Sequence, residues 1–258
     1  VPHTLVTLTA LAACLCLALP AGAAPTTGPE PDATTLVTRA DQHMRGDTQY
    51  AEMTMKVVRP DWSRETSMKA WTKGREYALI LITAPPRDKG TAFLKRGTDM
   101  WNWLPTVERT IKISPSMMLQ PWMGSDFTND DLVRESSVVG DYTHAIAGED
   151  TVDGRACWKL ELTPKPDAPV VWGKVLMWIA KAEPIELKAE YYDEGGALVN
   201  TESLTQIKSL GGRDIPTLLT MTPIDKPGHA TVLTIESCTF NTPIDDSFFS
   251  EQNMKRLH

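Results

Sequence analysis

The chain has 258 residues and a formal net charge of -7, with 41% hydrophobic and 23% charged residues. That balance is typical of a folded domain and excludes a disordered chain, a collagen-like repeat and a polytopic membrane protein. The acidic excess argues against nucleic acid as a partner; it is also uneven, since residues 25–115 carry 14 basic and 11 acidic side chains and residues 116–258 carry 12 and 22.

Residues 5–19, LVTLTALAACLCLAL, hold no charge and are shorter than the ~20 residues of a membrane span. Ala21-Gly22-Ala23 follows with small residues at a signal-peptidase site, so residues 1–23 read as a secretory signal peptide. Leu11-Ala12-Ala13-Cys14 offers a competing lipobox that would anchor the protein at Cys14, but the apolar run continues past Cys14 where a polar tether is needed. Residues 24–32 form a Pro-rich flexible leader, and the folded domain is expected over 33–258.

Asp32 is placed to N-cap a helix. Leu36, Val37, Ala40 and Met44 fall on one of its faces, and Gly46 ends it. Residues 50–58 then alternate with period two, placing Ala51, Met53, Met55 and Val57 on one face. Strand patterns follow at 66–72, 76–83, 91–96, 99–104 and 107–113. They resume at 156–163, 173–180, 185–192, 197–208, 214–222 and 230–240. Turn residues such as Lys73-Gly74-Arg75, Asp153-Gly154 and Gly211-Gly212 separate them. Short strands joined by hairpins, with no helix between them, predict a mainly β, antiparallel sheet or barrel.

The break at 114–135 is punctuated by Pro115 and Pro121 and crowded with Met117, Met118, Leu119, Trp122, Met123 and Phe127. Ser125 is placed to cap a short helix carrying Asp126, Asp130 and Asp131 in its first turns. Such a Met-rich segment suits a surface that receives varied apolar shapes, and its Pro and Gly flanks suit a mobile lid; a helix docked permanently on the sheet fits the same residues. Trp101 and Trp103 share one face of a strand. Residues 245–257 are compatible with a short terminal helix.

No nucleophile elbow, P-loop, dinucleotide fingerprint or zinc-protease motif occurs. His43, His144, His229 and His258 lie far apart in unlike contexts, so no catalytic residue, metal ligand or cofactor is assigned and the chain is read as a non-enzyme. Cys157 and Cys238 lie in strand-like runs; export permits a disulfide between them, and the alternative is two separate buried thiols.

Three stretches carry a resemblance. Tyr50-Ala51-Glu52-Met53-Thr54-Met55, Trp101-Asn102-Trp103-Leu104-Pro105 and, most specifically, Met123-Gly124-Ser125-Asp126-Phe127-Thr128-Asn129-Asp130-Asp131-Leu132 resemble LolA-like outer-membrane lipoprotein-sorting proteins, over roughly residues 33–257. The resemblance implies an incomplete antiparallel β-barrel of about eleven strands, closed by short helices around an apolar cavity. It also implies a periplasmic carrier of acylated lipoproteins or lipids, with an inner-membrane transporter as a further partner; the alternative is an accessory lipid-binding module that docks on or regulates an exporter. Trp101 and Trp103 are then expected on the sheet side of the cavity, and Met117, Met118, Leu119, Trp122, Met123 and Phe127 on its lid side. In the carrier of this superfamily an arginine near the lid helps control the empty and loaded states; Arg59, Arg64 and Arg109 have suitable strand positions, and none is assigned.

Overall fold

The computed structural model describes Val1 and residues 31–118, 120–131, 137–166, 168 and 170–257. The expected signal peptide, Cys14, most of the leader and Leu119 lie outside the described residues.

Asp32 caps the first helix as its sequence requires. Its carboxylate accepts from the Thr35 backbone N–H at 2.7 Å, and α1 (Ala33–Arg45) runs to Gly46, whose φ of 64° turns the chain. Thirteen strands follow: β1 (Thr48–Val58), β2 (Ser63–Lys73), β3 (Tyr77–Ala84), β4 (Ala92–Arg96), β5 (Asp99–Leu104), β6 (Arg109–Ile113), β7 (Tyr142–Val152), β8 (Arg155–Pro164), β9 (Lys174–Ala180), β10 (Glu186–Tyr192), β11 (Leu198–Leu210), β12 (Arg213–Pro223) and β13 (Ala230–Phe240). A short 3₁₀ turn over Asp246–Phe248 and α2 (Glu251–Met254) end the chain.

All thirteen strands belong to one sheet, ordered β6-β5-β4-β3-β2-β1-β13-β12-β11-β10-β9-β8-β7. The described neighbours pair antiparallel. The sheet is an incomplete barrel that does not close. It exceeds the expected eleven strands, and the strand without a sequence signal is β7. His144 and Gly148 share the inward positions of β7 with Tyr142 and Ile146, and its register breaks between Ile146 and Gly148; an edge strand half in water has no need of a wholly apolar face.

The topology has one consequence for function. β6 and β7 are consecutive in sequence yet form the two opposite edges, so the connection between them spans the open side. That connection is the Met-rich segment.

The period-two pattern sorts side chains to two faces. Met55, Val57, Met68, Ile80, Ile82, Phe93, Met221 and Leu233 build a core on the concave face. Val37 and Ala40 of α1 join Leu160, Leu162, Met177 and Ile179 in a second concave cluster. On the convex face, α2 and its approach cover Leu79, Leu81 and Leu94 with Phe249 and Met254. His43 and His144 are structural: His43 Nε2 donates to the Asp214 carbonyl (2.8 Å), and His144 Nε2 donates to the Val138 carbonyl (2.6 Å). His144 Nδ1 then accepts from the Thr34 hydroxyl at 3.1 Å, which ties α1 to the sheet.

Cys157 and Cys238 are both free and buried, so of the two alternatives left open by the sequence the structure has two separate thiols. Cys157 on β8 belongs to a cluster with Trp178 and Leu187, and Cys238 on β13 to one with Ala51 and Ile215. The two strands are five steps apart in the sheet, about 24 Å at ~4.8 Å per step, far beyond the ~7 Å Cα limit of a disulfide.

Candidate functional site

A cavity of about 290 Å³ lies between the concave face, α1 and the segment joining β6 to β7. Met53, Met68, Ile80, Leu219, Met221 and Leu233 supply one apolar wall. Such a wall follows from strands whose inward positions are apolar on successive neighbours; Met53 pairs with Met68 across β1 and β2, and Met68 with Ile82 across β2 and β3.

The segment over the opening is anchored at several points. A 3₁₀ turn spans Trp122–Gly124, and Met123 and Gly124 reverse the chain with φ of 48° and 73°. The Trp122 ring packs on Phe93 at 5.1 Å and is fully buried. Its indole N–H has no partner among the described residues, a penalty that works against permanent docking. Charge fixes the turn. Arg59 donates to the Asp126 carboxylate (3.0 Å) and to the Gly124 carbonyl (3.0 Å), and Arg64 donates to the Met123 carbonyl. Asp126 also accepts from the Thr231 hydroxyl at 2.7 Å, while its own N–H donates to Thr231 Oγ1 at 2.9 Å. Arg59 and Arg64 therefore grip the turn at Met123–Asp126 in the segment joining β6 to β7. Arg109 lies exposed on the edge strand β6.

Ser125 does not cap a helix. It is buried, with its hydroxyl on the Phe127 carbonyl. Thr128 takes that role: its hydroxyl accepts from the Asp131 N–H (3.1 Å), and its own N–H donates to the Asp131 carboxylate (2.7 Å). The reciprocal pair is a capping box, so the turn begins three residues later than the sequence suggested.

The predicted ligand-contacting residues separate into two groups. Met117, Met118, Trp122, Met123 and Phe127 pack together on the concave core, and of these Phe127 lines the cavity. Trp101 and Trp103 do share a face, as expected, but it is the convex one, under α2; Lys255 lies 5.4 Å from the Trp103 ring. Their placement on the cavity wall is thus corrected. Two residues apart on a strand guarantees a common face but does not say which, and here Met100 takes the inward position.

The cavity also contains polar residues that sequence patterning did not reveal. Asp41 of α1 accepts from Arg45 (3.2 Å) and Arg75 (2.5 Å), and Arg75 reaches the Ser137 hydroxyl at 2.7 Å. On the opposite wall Tyr191 donates to the Glu202 carboxylate at 2.7 Å, and Trp172 donates to Asp131 at 3.5 Å. Burial pushes the Asp131 carboxyl up, against the bonds from Thr128 and Trp172. Burial pushes Glu186 well above the ordinary carboxylate range, and the charges of Glu202 and Asp41 add to it. Tyr191 is driven far up by the same burial and by its acidic neighbours. Isolated acidic residues on otherwise apolar strand faces, such as Glu202, were the only available sequence signal. Among the described residues no cluster of His, Cys, Asp or Glu could hold a metal ion, and no helix is long and apolar enough to cross a membrane.

A family model described as that of an uncharacterized protein matches residues 74–256. The solved structure of a DUF1329 family protein from Desulfovibrio piger matches with a TM-score of 0.78 and 27% identity, over 86% of this chain and 97% of that one. A LolA superfamily protein from Nitrosomonas europaea matches with a TM-score of 0.74 and 25% identity, over 86% and 99%. The chain belongs to the LolA-like superfamily. A structure described as an outer membrane lipoprotein-sorting protein domain, from Vibrio parahaemolyticus, shares the LolA-like fold with a TM-score of 0.75 and 24% identity, over 87% and 98%. No curated protein matches the chain significantly.

Proposed function

We propose that this LolA-like protein is a non-enzymatic periplasmic carrier that shields the acyl chains of lipoproteins or lipids on their way to the outer membrane. The observation that supports it most is the cavity: an apolar wall inside a barrel that does not close, covered by the segment linking its two edges. A cavity of 290 Å³ holds about ten groups of water-like volume at ~30 Å³ each. Filling it with methylenes is worth about 8 kcal/mol at ~0.8 kcal/mol each, before the cost of association. A diacyl or triacyl anchor is larger than that space, so full loading displaces the lid segment and opens the concave core beneath Met118 and Trp122. The Met side chains there suit chains of varied length. No covalent step is required; release follows when an acceptor offers the chains a larger apolar surface.

Native mass spectrometry of protein from a periplasmic fraction tests this reading. Adducts with the mass of acylated molecules, displaced by a fluorescent acyl probe, are expected. Bare protein that also fails to bind the probe refutes it.

A further inference from the structure

The cavity is not the uniformly greasy interior that an acyl chain alone would require. Its cations are engaged: Arg45 and Arg75 share Asp41, Arg75 also holds Ser137, and buried Lys95 has an interaction of its own. Its acids are not evenly served. Glu202 accepts from Tyr191 and Asp131 from Thr128 and Trp172. Glu186 lines the same cavity, is half-buried, and has neither a hydrogen bond nor an ion pair among the described residues.

A half-buried carboxyl that lines a largely apolar cavity without a partner is costly, and a ligand that supplies the partner is favoured there. The missing partner is a donor, because the negative charges of Glu202 and Asp41 already repel a further anion from Glu186. A Met-lined wall beside it holds a short aliphatic stem. We propose that the cavity contains a head-group subsite, centred on Glu186 with Glu202 and Tyr191 beside it, that selects amphiphiles bearing a protonated amine over those bearing a hydroxyl or a carboxylate. This rests on the carrier reading and narrows it: the preferred cargo presents an ammonium group next to its first methylenes. The ammonium donates to Glu186 and restores its charged form.

Titration calorimetry with dodecylammonium, dodecanol and dodecanoate, each below its micelle concentration, tests the subsite. The amine is expected to bind about tenfold more tightly than the alcohol, with the carboxylate weakest, as a charge-assisted hydrogen bond implies. In Glu186→Gln the alcohol should bind as before, while the amine falls to within about threefold of it. Should that variant not fold, the wild-type pH profile reads the same group. The amine preference should then fade on acidification as Glu186 protonates, in surroundings that also hold the acidic Glu202, Asp131 and Asp41 and the basic Arg45, Arg75 and Lys95. Equal binding of all three ligands, a preference for dodecanoate, or an amine preference untouched in Glu186→Gln or, where that variant does not fold, by acidification overturns the subsite and leaves the carrier reading standing. Failure of all three to bind overturns both.

Discussion

Asp126 is the residue whose loss should release the lid without touching the cavity. Its carboxylate meets Arg59 at 3.0 Å, with side-chain exposures of 7% and 11%, so solvent screens the pair only partly. Exposed pairs are worth ~0–1 kcal/mol, and breaking a fully buried one costs ~3–5 kcal/mol. In Asp126→Asn, Arg59 keeps the Val58 carbonyl at 2.7 Å and the Gly124 carbonyl at 3.0 Å, which favours the lower part of that span. A cost of about 2 kcal/mol follows, or about thirtyfold in the equilibrium between seated and released lid. If the lid gates entry, the association rate of a fluorescent acyl probe should rise by up to that factor in stopped-flow mixing. Thermal unfolding should fall by about 4–8 °C, less if the released lid leaves the rest of the sheet intact. The comparison is Glu65→Gln, which removes the Lys56–Glu65 pair at 3.2 Å with exposures of 46% and 61% and should change neither measurement appreciably. An Asp126→Asn variant that loads no faster than Glu65→Gln and is as stable refutes the latch.

Trp103→Ala should lower the urea midpoint, by about 1–2 kcal/mol for a half-buried indole, and leave acyl-probe affinity unchanged, because the ring packs under α2 on the convex face; weakened binding at constant stability would return Trp103 to the cavity. Raised carboxyls make the fold acid-favouring: Glu186 and Asp131 bind protons in the native state that the unfolded chain has lost, so their contribution is complete below about pH 4 and is lost as pH rises through their native pKa values. The urea midpoint of Glu186→Gln should therefore fall less than that of wild type between about pH 5 and about pH 8, and parallel curves would contradict the burial of that carboxyl. Thiol labelling without reductant should modify both Cys157 and Cys238 in urea and leave them slow to react in the native protein, where burial pushes both thiols up; an unreactive pair in urea would mean a disulfide.

The mostly antiparallel architecture was readable from local pattern. Alternation with period two marks strands such as β1 and β2, while β3 and β9 read as short continuous apolar runs bounded by turn residues; Asp32 and Gly46 mark the ends of α1 by cap chemistry alone. β7 was missed although its burial alternates, because its inward positions include His144 and Gly148 and its register breaks between Ile146 and Gly148. The Met-rich break was visible as a break, and its capping by Thr128 in place of Ser125 was not, since both residues offer the same hydroxyl and only the fold decides which one faces the orphan N–H groups.

What residue order could not decide was side. Periodicity says that Trp101 and Trp103 lie together and that Met100 lies opposite, but the choice of concave or convex depends on where α2 lands, from the far end of the chain. Equally, Arg59 and Arg64 look like Arg109 in sequence; only the β6–β7 gap, created by strands distant along the chain, brings the turn at Met123–Asp126 over the first two and leaves the third in water. The carboxyls of Glu186 and Glu202 stand on neighbouring strands among ordinary alternations. Curvature of the sheet brings them to one space with Asp41 of α1, and that enclosure, not their identity, makes them a site.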